Sequence, residues 1–223
     1  MSTVIEETTP QAASTPDAIL QAAETLFARQ GHEATSMRQI TTLAGVNLAA
    51  VNYHFGSKEG LVQAVLRRRL AALNQERLRL LENLEGQAQA SGQAVKPSQI
   101  VDAFFGTLIR MARQDRAGIW PLLERSMTEP TAFIRTLFAQ ESADVLERYK
   151  QAFHKALPGV PQDEIVWRFQ FMLGASSFAL TGTEELRAVM GWQSNAEDPA
   201  EDERQLLPRL MRFLLGGLRA PLQ

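Results

Sequence analysis

Residues 35–58 read T-S-M-R-Q-I-T-T-L-A-G-V-N-L-A-A-V-N-Y-H-F-G-S-K. The stretch divides into two short helices. The first runs from about Met37 to Ala44, with Ser36 at the N-cap, where a hydroxyl satisfies an otherwise orphaned amide. The second runs from about Leu48 to His54 behind Asn47, another capping residue. Gly45 stands between them, where a tight turn calls for positive φ. Ile40, Ala44, Val46 and Val51 can share one small core. Arg38, Asn47, Ala49, Ala50, Asn52, Tyr53, His54 and Lys58 are then left largely outside. Two short helices at a steep angle, with an exposed polar face on the second, predict a helix-turn-helix, a geometry that enters the major groove of DNA.

The flanks support this unit. Residues 1–15 read as a disordered arm rich in Thr, Ser and Glu. Thr15-Pro16 places a cap before a proline at the first helical position, and a helix follows to about Gln30. Its apolar stripe is Ile19, Ala23, Leu26 and Phe27, and Gly31 ends it. This helix braces the other two, because 24 residues are too few to bury a core alone. On the far side, Ser57 starts a helix with Glu59 in its first turn, where a carboxylate meets the positive helix end. Its apolar face of Leu61, Val65, Leu66, Leu70 and Leu73 carries it to about Leu84. Arg67, Arg68 and Arg69 cover much of one turn, so at least one faces solvent, a salt bridge or a phosphate.

Composition limits the function classes. The chain has 223 residues, 45% hydrophobic and 22% charged, with no cysteine. Disulfides, thiolate metal sites and thiol catalysis are thereby excluded, and a cytoplasmic location is expected. The N-terminus lacks a basic-then-apolar leader pattern, and no apolar run reaches 18 residues, so no membrane partner is expected. Net charge is −2, which by itself opposes nucleic-acid binding. Its distribution does not. Asp17–Arg69 holds six Lys or Arg against four Asp or Glu, whereas residues 197–203 hold five acids and no base.

Beyond residue 84 the pattern stays helical. Residues 85–97 have no apolar rhythm and read as a flexible loop. Helices are expected over about 98–114, 130–156, 162–181 and 203–218, with shorter pieces near 118–127 and 182–191 and an acidic loop over 192–202. No strand pattern occurs. The fold class is all-α: a three-helix DNA-binding head over residues 16–57, joined to a larger helical body over 58–223.

Residues 31–62, G-H-E-A-T-S-M-R-Q-I-T-T-L-A-G-V-N-L-A-A-V-N-Y-H-F-G-S-K-E-G-L-V, resemble the DNA-binding domain of the TetR family of transcriptional regulators. The ending Y-H-F-G-S-K-E-G-L is especially characteristic, and the resemblance covers roughly residues 16–62. Within the family, V-N-L-A-A-V-N-Y-H-F-G-S-K is similar to members that respond to fatty acids or acyl-CoA thioesters. The resemblance implies a homodimer that blocks a palindromic operator on double-stranded DNA and releases it when a small apolar or acyl-type molecule enters the body. It places Thr35, Arg38, Tyr53, His54 and Lys58 at phosphates, with Ser36 also in the DNA-binding set. It places Leu48, Ala49, Ala50 and Asn52 on or beside the recognition helix, with base reading expected to lean on Asn47, Asn52, Arg38 or DNA shape. The two alanines suit thymine methyls but make no bidentate base hydrogen bonds.

In the body, Phe104, Phe105, Leu108, Met111, Trp120, Phe133, Leu137, Phe138, Phe169 and Met172 form the expected ligand pocket, against the plain alternative of core packing. Arg110, Arg113 or Arg168 would meet a carboxylate or phosphate on the ligand; a solvated or ion-paired arginine is the ordinary reading of each. Small residues around Gly174 and Ala175, with Phe178, Leu207, Leu210 and Leu214, suit a four-helix contact between two subunits; packing within one chain is the competing reading. His32, His54 and His154 are scattered, so no metal and no cofactor is expected. An enzyme would need a nucleophile–base set, a phosphate loop or a metal cluster, and none is written in the chain. A ligand-independent DNA-binding or scaffold protein remains the alternative.

Overall fold

The computed structural model describes residues 14–114, 132–181, 189, 191 and 199–222. All described elements are helical. The chain divides into two compact units, residues 1–65 and 66–223.

In the first unit, α1 spans Thr15–Ala34, α2 Met37–Ala44 and α3 Leu48–Phe55. Ser14, rather than the expected Thr15, caps α1: its side chain accepts the Asp17 amide, and Thr15 is already helical. Gly31 breaks the helical geometry at φ 78, as expected, but a last turn carries the element on to Ala34. Ile19, Ala22, Ala23 and Phe27 are buried, and α1 packs on both α2 and α3. Ile40 and Val51 close this core, so three short amphipathic pieces share one interior that none could bury alone.

The next helix, α4, spans Lys58–Ser91 and runs from the first unit into the second. It passes well beyond Leu84, which corrects the loop expected over 85–97. The segment E-G-Q-A-Q-A-S lacks an apolar face, yet most of its residues are good helix formers. The single Gly86 costs only about 1 kcal/mol against alanine, too little to stop a running helix. The chain turns at Gly92, φ 65.

The expected helix over 98–114 is built in three pieces. Residues Pro97–Val101 form α5, Asp102–Gly106 a π-helical turn and Thr107–Gln114 α6. Then α7 spans Ala132–Ala156, α8 Gln162–Thr181 and α9 Pro199–Leu218, the last starting earlier than expected. The pieces expected at 118–127 and 182–191 lie almost wholly outside the described residues. The second core gathers Leu81, Ile100, Val101, Phe104, Phe105, Ile109, Val145, Tyr149, Phe153, Ile165, Met172, Leu210 and Leu214.

Candidate functional site

The helix-turn-helix is held by local hydrogen bonds that its sequence specifies. Ser36 Oγ accepts the Gln39 amide at 3.3 Å, while the Ser36 amide donates to Gln39 Oε1 at 2.8 Å, a reciprocal capping box. Gly45 sits in the left-handed region at φ 67, ψ 30. Its amide donates to Thr42 O and the Val46 amide to Thr41 O at 3.0 Å, closing the end of α2. Asn47 Oδ1 accepts the Ala50 amide at 2.8 Å and so starts α3. Gly56, at φ 73, ends α3, its amide donating to Asn52 O.

Val51 is the one fully buried residue of α3. The outward side of the helix carries Leu48, Ala49, Asn52, Tyr53 and His54, and Ala50 is half-buried. Tyr53 is 85% exposed, with its ring edge-on to His54 at 5.0 Å. A tyrosine so exposed gains little from its own fold, and a phenol with an adjacent imidazole offers hydrogen-bond donors to an anion. Arg38 and Ser36 are exposed on the neighbouring element. Lys58 is half-buried and donates from Nζ to Glu33 O at 3.2 Å, which holds its ammonium beside the end of α1.

Thr35 differs from the other expected phosphate contacts. It is buried, and its hydroxyl donates to Gly31 O at 2.7 Å. Its side chain therefore closes the end of α1 on itself and does not face outward. Sequence reading also missed the role of Gly60. A Cβ there would stand 2.0 Å from Phe55 O, so the first turn of α4 lies directly on the last turn of α3. Ser57 Oγ accepts the Gly60 amide at 3.1 Å and caps α4. The signal was present in F-G-S-K-E-G, where a second glycine follows a cap that needs only one.

In the second unit, Phe104, Phe105, Leu108, Leu137 and Met172 are buried, and Met111, Phe138 and Phe169 partly so. Phe104 meets Phe105, Tyr149 and Phe169 edge-on, each at 4.9 Å. Trp120 and the side chain of Phe133 lie outside the described residues. The grooves that are described are lined elsewhere. One of about 680 Å³ lies among Leu81, Ala88, Val95, Ala152 and Ala156.

Two of the three arginines expected to meet a ligand anion have acidic partners. Arg110 pairs with Asp102 at 3.0 Å, across Gly106, and the buried Arg168 pairs with Glu164 at 2.7 Å while donating to Leu218 O. Arg113 has its side chain outside the described residues. Arg77 on α4, which was not among the arginines singled out in the sequence, is also buried. Its Nε donates to Phe104 O at 3.1 Å, its Nη1 to Asn74 Oδ1 at 3.1 Å, and its guanidinium lies 3.7 Å over the Phe104 ring. Burial pulls it down to about 9, so it stays charged at neutral pH. Tyr149 donates to Arg77 O at 2.8 Å, and burial pushes its phenol up, keeping it protonated.

Of the expected dimer residues, Gly174 and Phe178 are exposed, Phe178 at 57%. Ala175 and Leu207 are half-buried. Leu210 and Leu214 turn the other way, into the core of their own chain. The α9 face left outside carries Phe213, 69% exposed, and α8 adds Trp167 and Phe171, stacked at 5.8 Å. The reason is helical phase: 207, 210, 211, 214 and 218 share one side of α9, and 209, 213 and 216 point away from it.

A helix-turn-helix head and a separate helical body define a class of DNA-binding regulators. Residues 19–65 match the family described as bacterial regulatory proteins, tetR family. Residues 102–217, more than half of the chain, match the tetracyclin repressor-like C-terminal domain. The chain belongs to the TetR family of transcriptional regulators. It is 44% identical over 61 residues to the transcriptional repressor KstR2 of Mycolicibacterium smegmatis, a match covering 27% of this chain and 30% of that one. It is 39% identical over 85 residues to the repressor NicS of Pseudomonas putida, covering 38% and 40%. These matches therefore span less than half of the relatives' own lengths. The fold is similar to that of the fatty acid degradation regulator FadR from Bacillus halodurans, with TM-score 0.61 and 14% identity over 95% of this chain and 100% of the other. These relatives are regulators of transcription or of a degradative pathway. No group of three or more His, Asp or Glu that would hold a metal occurs among the described residues, and no described helix is long and apolar enough to cross a membrane.

Proposed function

We propose that the protein is a homodimeric transcriptional repressor that leaves a palindromic operator when a small apolar or acyl-type effector enters its body. The observation that carries this reading is the outward face of α3. Its cap, its one buried residue and its glycine end leave Leu48, Ala49, Asn52, Tyr53 and His54 presented together. Ser36, Arg38, Tyr53, His54 and Lys58 would hold phosphates, with Thr35 supporting them from inside. Asn47, Leu48, Ala49, Ala50 and Asn52 would meet base edges.

The exposed Trp167, Phe171, Phe178 and Phe213 support a second copy as the cover for α8 and α9. For the effector, the support is the apolar set around Phe104, Phe105, Leu108, Met111, Leu137, Phe138, Phe169 and Met172, with Trp120 and Phe133 expected to complete it. The π turn at Asp102–Gly106 adds to this, since such turns occur often at functional sites. The effector would act by selection: it binds best to a conformation in which α4 holds the two heads away from the spacing of half-sites about 34–36 Å apart.

The test is fluorescence anisotropy on DNA upstream of the protein's own coding sequence, with and without medium- and long-chain acyl-CoA thioesters and free fatty acids. The expected result is salt-sensitive, sequence-specific binding that weakens at least tenfold with one of them. Specific binding that persists at full affinity while acyl ligand is demonstrably bound would remove the release mechanism. Absence of sequence-specific binding would remove the repressor reading altogether.

A further inference from the structure

We propose that the operator is read chiefly through thymine 5-methyl groups set against Leu48, Ala49 and Ala50. The inference rests on the DNA-binding reading above and narrows it to one base chemistry. In helix-turn-helix docking the N-terminal residues of the second helix reach the base edges. Here those residues are Asn47, Leu48, Ala49 and Ala50.

Asn47 is poorly placed for the usual asparagine–adenine pair. That pair needs the amide oxygen to accept from N6 and the amide nitrogen to donate to N7. Asn47 Oδ1 already accepts the Ala50 amide at 2.8 Å, which folds the side chain back onto its own helix. The eight residues of α3, L-A-A-V-N-Y-H-F, contain no Arg, Lys, Gln, Glu, Ser or Thr. Asn52 is therefore the one remaining amide on the face, while Tyr53 and His54 stand at the far end of the helix.

What the leading turn does offer is carbon. Leu48 is 47% exposed, Ala49 is exposed and Ala50 half-exposed beside it. Inward packing does not require Leu48 there, since Val51 alone is fully buried from this helix. In the major groove only thymine presents an apolar group; guanine, adenine and cytosine present donors and acceptors alone. Apolar side chains at the reading positions gain from a methyl and gain nothing from the other three bases. Affinity for a thymine-rich half-site core follows, with register set by phosphate contacts from the flanks.

The experiment begins with selection of binding sites by the full-length protein from a random double-stranded pool. In the enriched site each thymine is then replaced, one at a time, by deoxyuridine, which keeps pairing and removes only the methyl. The expected result is a loss of about fourfold per contacted methyl, the equilibrium effect of one buried carbon. Those losses cluster in the half-site core, and Leu48→Ala abolishes the thymine–uracil difference at its own position. Uracil replacement that leaves affinity unchanged throughout the core overturns the proposal while leaving DNA binding intact. A pool with no enrichment overturns the repressor reading itself. Because the uracil series uses the unaltered protein, a misfolded variant has no bearing on it.

Discussion

A Cβ on Gly60 would stand 2.0 Å from the Phe55 carbonyl oxygen, a backbone atom with no freedom to swing aside. Gly60→Ala must therefore separate the start of α4 from the end of α3, where Tyr53, His54 and Lys58 lie. The expected cost is about 1–3 kcal/mol, as for other overpacked sites, with weakened DNA binding. A thermal melt and a DNA titration check both; an unchanged melt would mean that the junction of α3 and α4 yields freely. At Arg77, truncation and replacement should part company. Arg77→Ala leaves Phe104 O and Asn74 Oδ1 without their donor and opens a void, and a loss of about 2–4 kcal/mol is expected. Arg77→Met keeps most of the volume and removes the buried charge, so urea denaturation should show a smaller loss or none. Equal losses for the two would place the stabilisation in the guanidinium contacts themselves.

Among the elements, α4 shows how far propensity reaches. Its last turns have few apolar residues, and helix-forming Glu, Gln and Ala carry it to Ser91 without an amphipathic stripe. Gly86 has open space around its Cβ position, so Gly86→Ala should raise stability by about 0.5–1 kcal/mol, measured by urea denaturation. A loss there would show that the glycine has a role in bending the helix. The three-piece helix over 97–114 teaches the opposite lesson. Its apolar positions read as one continuous arc, and nothing in that arc marks the π turn. The turn accompanies a contact from another element, Arg77 binding Phe104 O, and a pair within the run, Asp102–Arg110, passing over Gly106.

For the whole molecule, the proposed dimer sets the reach of the two heads. Phe171→Glu combined with Phe213→Glu places charge on side chains that are 66% and 69% exposed in the single chain. The fold of each chain should persist by circular dichroism. Light scattering should report monomers, and affinity for a two-half-site operator should fall by at least a hundredfold, since each head then binds alone. A dimer that survives both changes would move the interface to another face.

Much of the head was legible from residues 35–58, because its determinants are local. Ser36, Gly45 and Asn47 act within four residues of themselves, and the 3.6-residue period assigns Ile40 and Val51 inward. The helical class of the body, and most of its helix positions, followed from the same periodicity. What only the tertiary structure decided was which side of a two-sided helix met its own chain. Leu210, Leu214 and Phe213 are all apolar, and composition does not distinguish a core leucine from an outward phenylalanine. Packing of α9 on α8 and on the π turn makes that choice. Thr35, an expected phosphate contact, turned inward because a carbonyl at Gly31 stood within reach of its hydroxyl. Arg77 was invisible for the same physical reason: a charge is written identically in the sequence whether water or the Phe104 ring surrounds it, and burial is a property of the assembled neighbours.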